Sequence, residues 1–443
     1  MSDESPTRQP RRTRVRSSNY TVARIHLWGH DVGAVAEDAE GNIVFEYEDN
    51  FRRSGLEISP IHLPLTLRGP VSFASLRRVE TFAGLPGVLA DALPDAFGNA
   101  IIRRYFEQRG RPDAALSPVQ KLRCIGSRAM GALEFSPPLE GSVRREVDDP
   151  LAIAQLVEQA RRVVDGDPTV AVPEMMQVGA SAGGARAKAL VLWNPPLARL
   201  RLAFATRGAG DEHWLIKFDG VSAAGGGHEL AGSFVPAPFG RIEYAYSRLA
   251  RVAGVEMAET HLLHERDFAH FMTRRFDREG DARLHMHSLG GLHHADYNVR
   301  QVMSYEEYFR TIRLLGMGQT AVDQAFRRMV FNMATRNQDD HVKNLALLMT
   351  PYGTWRLAPA FDLTFSYGGK WAATHQMTAG GKDDHFTRRD LLQLGASFDV
   401  PNGGAEILGE VDGALGLWEG AAREAGAERV TITRIGALFR RFG

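Results

Sequence analysis

The segment Asn337–Asn344 (NQDDHVKN) constrains the fold more than any other, because it places charged and amide side chains between two apolar segments. In the preceding segment, 321–336, apolar residues recur at spacings of three and four, at Phe326, Met329, Val330, Met333 and Ala334. This periodicity predicts a helix with one apolar face. After the polar segment, 344–349 and 355–358 predict a β-hairpin that leads to Asp362. So many polar groups between an apolar helix and an apolar strand indicate the lining of a cleft.

The spacing of these polar residues indicates a chemistry. Asp339 precedes Asn344 by five residues and Asp362 follows, which is the order used by phosphoryl-transfer enzymes of the kinase type. In those enzymes the first Asp orients the acceptor hydroxyl, and the Asn and the second Asp hold Mg²⁺. Asp340 competes with Asp339 for the first role, and the spacing to Asn344 favours Asp339. The alternative is a chance spacing in which Asp362 only forms a turn.

Two segments upstream fit the same chemistry. Residues 179–188 (GASAGGARAK) are mostly glycine, alanine and serine, and such small residues let backbone N–H groups approach an anion closely. The alternative is a flexible surface loop. Lys217 lies in the apolar run 214–218, where an unpaired buried charge is costly. Two interpretations follow: the ammonium of Lys217 reaches a cleft, or the polar face of this strand is exposed to solvent. Glu243 heads the next predicted helix, either to orient Lys217 or as an ordinary acid of a first turn.

Composition limits the class of protein. The chain has 443 residues, enough for two or three domains, and 53 basic and 53 acidic residues cancel, so there is no overall bias toward nucleic acid. Residues 7–18 carry five arginines and no acid and predict a disordered basic arm, either a solvated tail or a phosphate-seeking one. The single cysteine, Cys124, and the lack of a long apolar run predict a cytoplasmic protein.

The predicted elements describe an α+β protein with a β-rich first half and a helical second half. The first half contains an antiparallel meander at 21–48, a helical stretch at 83–106, a turn and strand at 126–135, and strands at 187–193 and 213–218. A helix at 243–253 and strands at 259–264 and 268–276 follow. The histidines His285, His287, His293 and His294 predict a polar loop rather than a zinc site, because no cysteine or paired carboxylate completes a ligand set.

Taken together and in order, several motifs resemble the HipA-type serine/threonine kinases, the toxin components of bacterial type II toxin–antitoxin systems. The motifs are 181–188 (SAGGARAK), Ile216-Lys217, 275–278 (RFDR), the Asn337–Asn344 segment and 357–362 (LAPAFD). Residues 85–98 (LPGVLADALPDAFG) also resemble the N-terminal subdomain of that family.

The resemblance implies a two-lobed, protein-kinase-like fold that binds ATP and Mg²⁺. It implies an N-terminal subdomain at 19–145, a β-rich N-lobe at 146–273 and a helical C-lobe at 274–443. The basic arm at 1–18 is not part of the family pattern. By position, Asp339 is the catalytic residue, Asn344 and Asp362 are the Mg²⁺ ligands, and Ser181 is the autophosphorylated serine. The implied nucleotide-binding residues are Ala182, Gly183, Gly184, Ala185, Arg186, Lys188, Lys217, Phe276 and His341.

The resemblance also implies a function and partners. Members of the family phosphorylate aminoacyl-tRNA synthetases and are neutralised by a helix-turn-helix antitoxin that holds the pair on operator DNA. This chain departs from some relatives at the hinge, where Arg274 replaces a glutamate and leaves a side-chain contact to adenine in doubt. The alternatives are a DNA-associated co-repressor that works with the antitoxin, and a small-molecule kinase on the same fold.

Overall fold

The predicted meander near the N-terminus is part of a four-stranded antiparallel sheet, in the order β3-β2-β1-β4. The computed structural model describes residues 20–110, 116–139, 153–164, 167, 186–203, 205–221 and 238–443. The strands are β1 (Thr21–Leu27), β2 (His30–Glu37), β3 (Ile43–Tyr47) and β4 (Leu133–Ser136). Trp28 and Gly29 both have positive φ and join β1 to β2 in a tight two-residue turn.

Short helices accompany this sheet in the N-terminal subdomain and confirm the predicted helical stretch at 83–106. They span Asp49–Arg52, Gly87–Ala90, Ala96–Glu107 and Pro118–Ile125, with a 3₁₀ turn at Ala74–Arg78. Two of them begin with side-chain caps: Asp95 accepts from the backbone N–H of Gly98 (2.7 Å), and Ser117 forms a capping box with Gln120. The caps fix where these helices start, and Asp95 therefore has a defined position.

A second antiparallel sheet has five strands in the order β6-β5-β7-β9-β8 and confirms the predicted strands of the N-lobe. Its strands are β5 (Lys188–Asn194), β6 (Arg199–Leu202), β7 (Glu212–Lys217), β8 (Thr260–Glu265) and β9 (Phe268–Arg274). The helix Phe239–Val252 packs on β9, and the helix Ile153–Val164 lies near Ala96–Glu107. Lys188 of β5 and Lys217 of β7 are directly opposite each other.

The second half is mainly helical, as predicted. Its helices span Leu289–His293, Tyr305–Leu314, Gln319–Thr335, Arg388–Ser397, Ala405–Leu415, Trp418–Glu424 and Arg429–Gly436. Short strands connect the lobes: β10 (Arg278–Glu279), β11 (Ala282–Arg283), β12 (His285–Ser288), β13 (Ala346–Met349) and β14 (Trp355–Leu357). β13 and β14 form the predicted hairpin, with β12 on its other side.

The predicted polar loop of histidines is wrong. His285 and His287 lie on β12 and are fully buried, and His293 ends a short helix. His287 Nδ1 is 2.7 Å from Asp91 Oδ2, and its Nε2 is 3.1 Å from the Ser59 hydroxyl. These contacts join the C-lobe to the N-terminal subdomain. Within the described ranges, no group of three or more His, Cys, Asp or Glu side chains is arranged to hold a metal ion.

The architecture is therefore a two-lobed α+β fold with an additional N-terminal subdomain packed against both lobes. Close backbone approaches hold the subdomain in place: a Cβ at Gly87 would lie 1.9 Å from the carbonyl oxygen of Gly291. None of the described helices is both long and apolar enough to cross a membrane. The predicted domain boundaries at 145 and 273 stay predictions, and the basic arm at 7–18 lies outside the described residues.

Candidate active site

Lys217 lies at the end of β7 between two carboxylates. The side chain is buried, and its Nζ donates to Glu243 Oε1 at 2.5 Å and also to Asp362 Oδ1. Burial alone lowers the pKa of a lysine, but the carboxylates of Asp362 and Glu243 more than offset it and raise the pKa of Lys217. The strand therefore does not have a solvated polar face at this position. Lys217 brings its ammonium into a cleft.

Glu243 reaches Lys217 because the helix Phe239–Val252 lies unusually close to β9. A Cβ at Gly240 would lie 1.9 Å from the carbonyl oxygen of Ala269, so only glycine allows this approach. The helix begins four residues before Glu243, whereas the sequence predicted that Glu243 heads it. The second oxygen, Oε2, accepts from Arg186 at 3.1 Å. Glu243 thus bridges Lys217 and the end of the predicted phosphate loop.

Lys188 brings a second ammonium to the same face of the sheet. Its Nζ lies 3.5 Å from Asp95 Oδ2, the carboxylate that caps a helix of the N-terminal subdomain. Burial lowers the pKa of Lys188, against the opposing effect of Asp95 and Asp362. The ion pair places the N-terminal subdomain directly beside the site. Sequence reasoning did not identify Asp95, whose pairing depends on contact between distant segments.

The Asn337–Asn344 segment begins where the helix Gln319–Thr335 ends. Arg336 has a φ of 59° and turns the chain toward Asp339, whose Oδ1 accepts from the indole N–H of Trp371 at 2.7 Å. The Asn344 amide N–H donates to the backbone oxygen of Asp339 at 2.9 Å. The indole thus orients the carboxylate, and the amide holds the backbone of the turn. Trp371 lies in an irregular segment and was not identified from the sequence.

Asp340 has a different environment from its neighbour. Its carboxylate accepts from the Tyr305 hydroxyl (2.7 Å) and the Gln376 backbone N–H (2.8 Å), and lies 2.9 Å from His375 Nδ1. The side chain of Asp340 is 1% exposed, against 26% for Asp339. Asp340 is therefore occupied in holding the C-lobe together. Its accessible neighbour is the one positioned to meet a reacting group.

Asp362 follows the hairpin and has a φ of 53°, a left-handed conformation that costs energy for a residue other than glycine. Burial would raise the pKa of this carboxyl, but Lys217 and Lys188 hold it below its ordinary value. The preceding residue, Phe361, lies against Phe276 with ring centroids 5.5 Å apart. The strained backbone therefore turns an ionised carboxylate toward Lys217 while the phenyl ring faces the hinge.

A cleft joins several of these residues, although Asp339 and Lys188 do not line it. Lys217, Glu243, His341, Asn344 and Asp362 line it, so the structure brings together residues from four distant parts of the chain. The Asn344 amide nitrogen donates to the backbone oxygen of Asp339, and Oδ1 of Asp362 accepts from Lys217. The amide oxygen of Asn344 and the second carboxylate oxygen of Asp362 take part in neither of these bonds. This oxygen pair fits Mg²⁺, which takes a few protein oxygens and completes its shell with phosphates and water. Asn344 and Asp362 could therefore hold the metal ion.

Much of the cleft lining is apolar and suits a flat aromatic ring. The apolar lining includes Leu133, Leu215, Met257, Phe271, Phe276, Met286, Phe361 and Leu363. Arg274 also lines the cleft, and its guanidinium pairs with Glu212 (3.4 Å) and Glu259 (3.6 Å). These two carboxylates neutralise the arginine that replaces a glutamate at the hinge. A flat ring bound here would therefore contact mainly apolar side chains.

Most of the predicted phosphate-binding loop lies outside the residues that the structure describes. Ser181, Ala182, Gly183, Gly184 and Ala185 lie outside the described residues. The end of that loop is described, and there Arg186 contacts Glu243 and also approaches Asp219 at 3.9 Å. Burial raises the pKa of Asp219 to about 6.

Two family models match the sequence: "HipA-like C-terminal domain" over residues 180–418 and "HipA N-terminal domain" over 23–136. A chain of the Shewanella oneidensis MR-1 toxin–antitoxin complex of HipA, HipB and operator DNA has a TM-score of 0.60 and 17% identity, with 94% of each chain covered. This likeness shows a shared fold.

A second solved structure is the Helicobacter pylori proinflammatory kinase CtkA. It has a TM-score of 0.31 and 11% identity, and the alignment covers 51% of this chain and 92% of that one. None of the curated proteins compared with this sequence matches it.

Proposed function

Because this chain belongs to the HipA family, we propose that it is an ATP- and Mg²⁺-dependent protein serine/threonine kinase. The observation that carries the proposal is the contact of Lys217 with both Glu243 and Asp362 at a cleft that Asn344 also lines. Ion pairing offsets the cost of desolvating a buried ammonium and two carboxylates only in part, so stability alone gives little reason for these three charges to be buried together. A cleft with an ammonium beside oxygens that could bind a metal ion, and with an otherwise largely apolar lining, suits a nucleoside triphosphate.

Each residue has a distinct task in this reaction. Lys217 neutralises phosphate oxygens, and Glu243 holds its ammonium in place. Asp339, oriented by Trp371, aligns the acceptor hydroxyl and receives its hydrogen bond. Mg²⁺, held by Asn344 and Asp362, supplies charge neutralisation for the phosphates when bound. Catalysis on this scheme consists of positioning and electrostatic stabilisation, as expected for phosphoryl transfer.

The kinase acts, in this proposal, as the toxin of a toxin–antitoxin pair. The support is family membership and the shared fold with a chain from a complex that contains HipA, HipB and operator DNA. The proposed partner is a helix-turn-helix antitoxin that links the kinase to operator DNA, and the proposed acceptor is a protein such as an aminoacyl-tRNA synthetase. Phosphate on Ser181 would add about two negative charges to the loop that binds ATP phosphates, so autophosphorylation would inactivate the enzyme.

The test is incubation of the purified chain with Mg²⁺ and γ-labelled ATP, followed by phosphosite mapping. The parent is expected to transfer phosphate to Ser181, and Asp339→Ala to lose transfer by about a thousandfold or more, because the group that orients the hydroxyl is gone. Glu46→Lys, an exposed change on the edge strand β3, is the control and should behave as the parent. Undiminished transfer by Asp339→Ala, or none by the parent, would contradict the proposal.

A further inference from the structure

Two cavities meet at the Asn337–Asn344 segment: the cleft described above and a neighbouring groove. The two cavities are lined by different residues of the proposed site. Lys217, Asn344 and Asp362, the residues proposed for phosphates and metal, line the cleft and not the neighbouring groove. Asp339 lines the groove and not the cleft. Among the residues that the structure describes, His341, Lys343 and Tyr297 are the three that line both cavities. The boundary between nucleotide chemistry and hydroxyl chemistry therefore coincides with the boundary between the cavities.

The groove has one wall from each half of the molecule. The C-lobe contributes Asp339, Ser366 and Trp371, and the opposite wall is formed by residues from 80 to 121 of the N-terminal subdomain. That wall includes the segment from Leu93 to Ala96, immediately beside the ion pair between Asp95 and Lys188. The N-terminal subdomain is thus part of the surroundings of Asp339.

Specific contacts hold this wall at a fixed distance from the C-lobe. The Thr81 hydroxyl donates to Asp296 Oδ1 at 2.6 Å, and the Asn298 amide donates to the same hydroxyl at 3.0 Å. The backbone N–H of Gly87 donates to His294 Nε2 at 3.0 Å. These bonds link elements more than 200 residues apart and make the groove a permanent feature of the fold.

The wall from the N-terminal subdomain carries charges that are available to a ligand. Glu80 is exposed at the groove and forms no ion pair with any of the described residues. Lys121 lies on the same wall, where burial lowers the pKa of its ammonium and Glu80 acts in the opposite direction. The wall therefore carries both signs of charge within a short distance, which suits a peptide with charged side chains next to its acceptor residue.

We propose that this groove receives an extended, serine- or threonine-bearing segment of the acceptor protein, so that the N-terminal subdomain forms half of the acceptor site. The proposal rests on the kinase function and adds where the acceptor binds. The hydroxyl oxygen bonds to the γ-phosphorus as the bond from that phosphorus to the β–γ bridging oxygen breaks. ADP leaves, and the hydroxyl proton passes to the carboxylate of Asp339. Residues flanking the serine lie along the wall that carries Glu80 and Lys121.

The experiment measures the preference between two serine peptides that differ only in flanking arginines or aspartates. The full chain is incubated with Mg²⁺, ATP and each peptide, and the ratio of the two kcat/KM values is recorded. Glu80→Lys should shift this ratio by about fivefold toward the aspartate peptide. The substitution replaces a charge that attracts the arginines of the other peptide with one that repels them. Lys121→Glu should shift it toward the arginine peptide, and Glu46→Lys, on a strand outside the groove, should leave the parent ratio unchanged.

A ratio cancels any loss of folded enzyme, so a poorly folding variant still gives an answer. Opposite shifts in Glu80→Lys and Lys121→Glu support the groove as the acceptor site. If both variants keep the kcat/KM ratio of the parent enzyme, the groove proposal is overturned. It is also overturned if the parent enzyme phosphorylates its own chain but neither peptide. An enzyme with no transfer to itself or to peptides overturns the kinase proposal instead, which keeps the two failures distinct.

Discussion

Asp339 and Asp340 are neighbours in the sequence, and their different contacts predict different effects of mutation. Asp340→Ala leaves Tyr305, His375 and Gln376 without their shared acceptor inside the C-lobe. We expect a loss of about 3 kcal/mol in the free energy of unfolding. Asp339→Ala removes a half-buried carboxylate with one side-chain donor and should cost about 1 kcal/mol.

Urea unfolding of the two variants, followed by far-UV circular dichroism, measures this difference. The midpoints are compared at equal m-value, so that a change in the midpoint reports stability. Equal destabilisation by both substitutions would show that Asp339 also holds the fold. Asp339 would then no longer be a residue free for chemistry.

The sequence could predict which residues form the site only where spacing carries the information. The five-residue interval singled out Asp339, and the apolar run singled out Lys217. Trp371 and Asp95 had no such signal, because each acts through one contact with a residue at least 30 positions away, Asp339 and Lys188 respectively. A tryptophan in an irregular segment and an aspartate at a helix start are common in any sequence. Only the fold distinguishes these two.

At the scale of elements, the close packing of the helix Phe239–Val252 on β9 places Glu243 against Lys217. Gly240→Ala would bring a Cβ within 1.9 Å of the carbonyl oxygen of Ala269, so the helix must move away. Overpacking of this kind outweighs the better helix propensity of alanine, and we expect a net loss of about 2 kcal/mol in stability. The affinity for ATP should fall as well, because Glu243 moves with the helix.

Gly409→Ala is the matched control. Gly409 lies in the exposed part of the helix Ala405–Leu415, and nothing lies within 4 Å of its Cβ position. The same substitution should therefore stabilise the protein by about 0.5–1 kcal/mol. Thermal unfolding of both variants, with titration of a fluorescent ATP analogue, checks the prediction. A stabilised Gly240→Ala variant with unchanged ATP affinity would show that the close approach has no role.

Helices and strands were predicted correctly where apolar residues recur at regular spacing. A strand was missed where its side chains are buried by residues of the N-terminal subdomain. The helix Gln319–Thr335 and the hairpin β13–β14 followed from the spacing of apolar residues. The strand β12 was missed because two of its four residues are histidines, which indicate an exposed segment when considered alone. Their rings are buried by Ile58 and Ser59 of the N-terminal subdomain, which the sequence of β12 does not encode.

At the scale of the whole molecule, the N-terminal subdomain closes one side of both the cleft and the groove. Asp91 and Leu133 line the cleft, and Asp95 lines the groove. A subdomain that only added stability would not need to contact both cavities. The N-terminal subdomain therefore contributes to the lining of the proposed active site together with the two lobes.

Asp277 connects these units, and its substitution tests the connection. The carboxylate is fully buried and accepts from Arg275 (2.7 and 2.9 Å), Arg278 (2.7 Å) and the backbone N–H of Gly131 in the N-terminal subdomain (2.7 Å). Asp277→Asn keeps the shape but leaves two buried guanidinium groups without their counter-charge. We expect a loss of about 3 kcal/mol in the free energy of unfolding at pH 7.

The pH dependence of this loss identifies its cause. Burial would raise the pKa of Asp277, but Arg275 and Arg278 hold it far below its ordinary value. A carboxylate with a depressed pKa stabilises the fold above its unfolded pKa of about 3.9, and this contribution is lost as the pH falls toward the folded pKa. The stability difference between parent and Asp277→Asn should therefore be constant from pH 7 to 5 and shrink from pH 5 to 3. A difference that stays constant down to pH 3 would show that shape, rather than charge, makes Asp277 necessary.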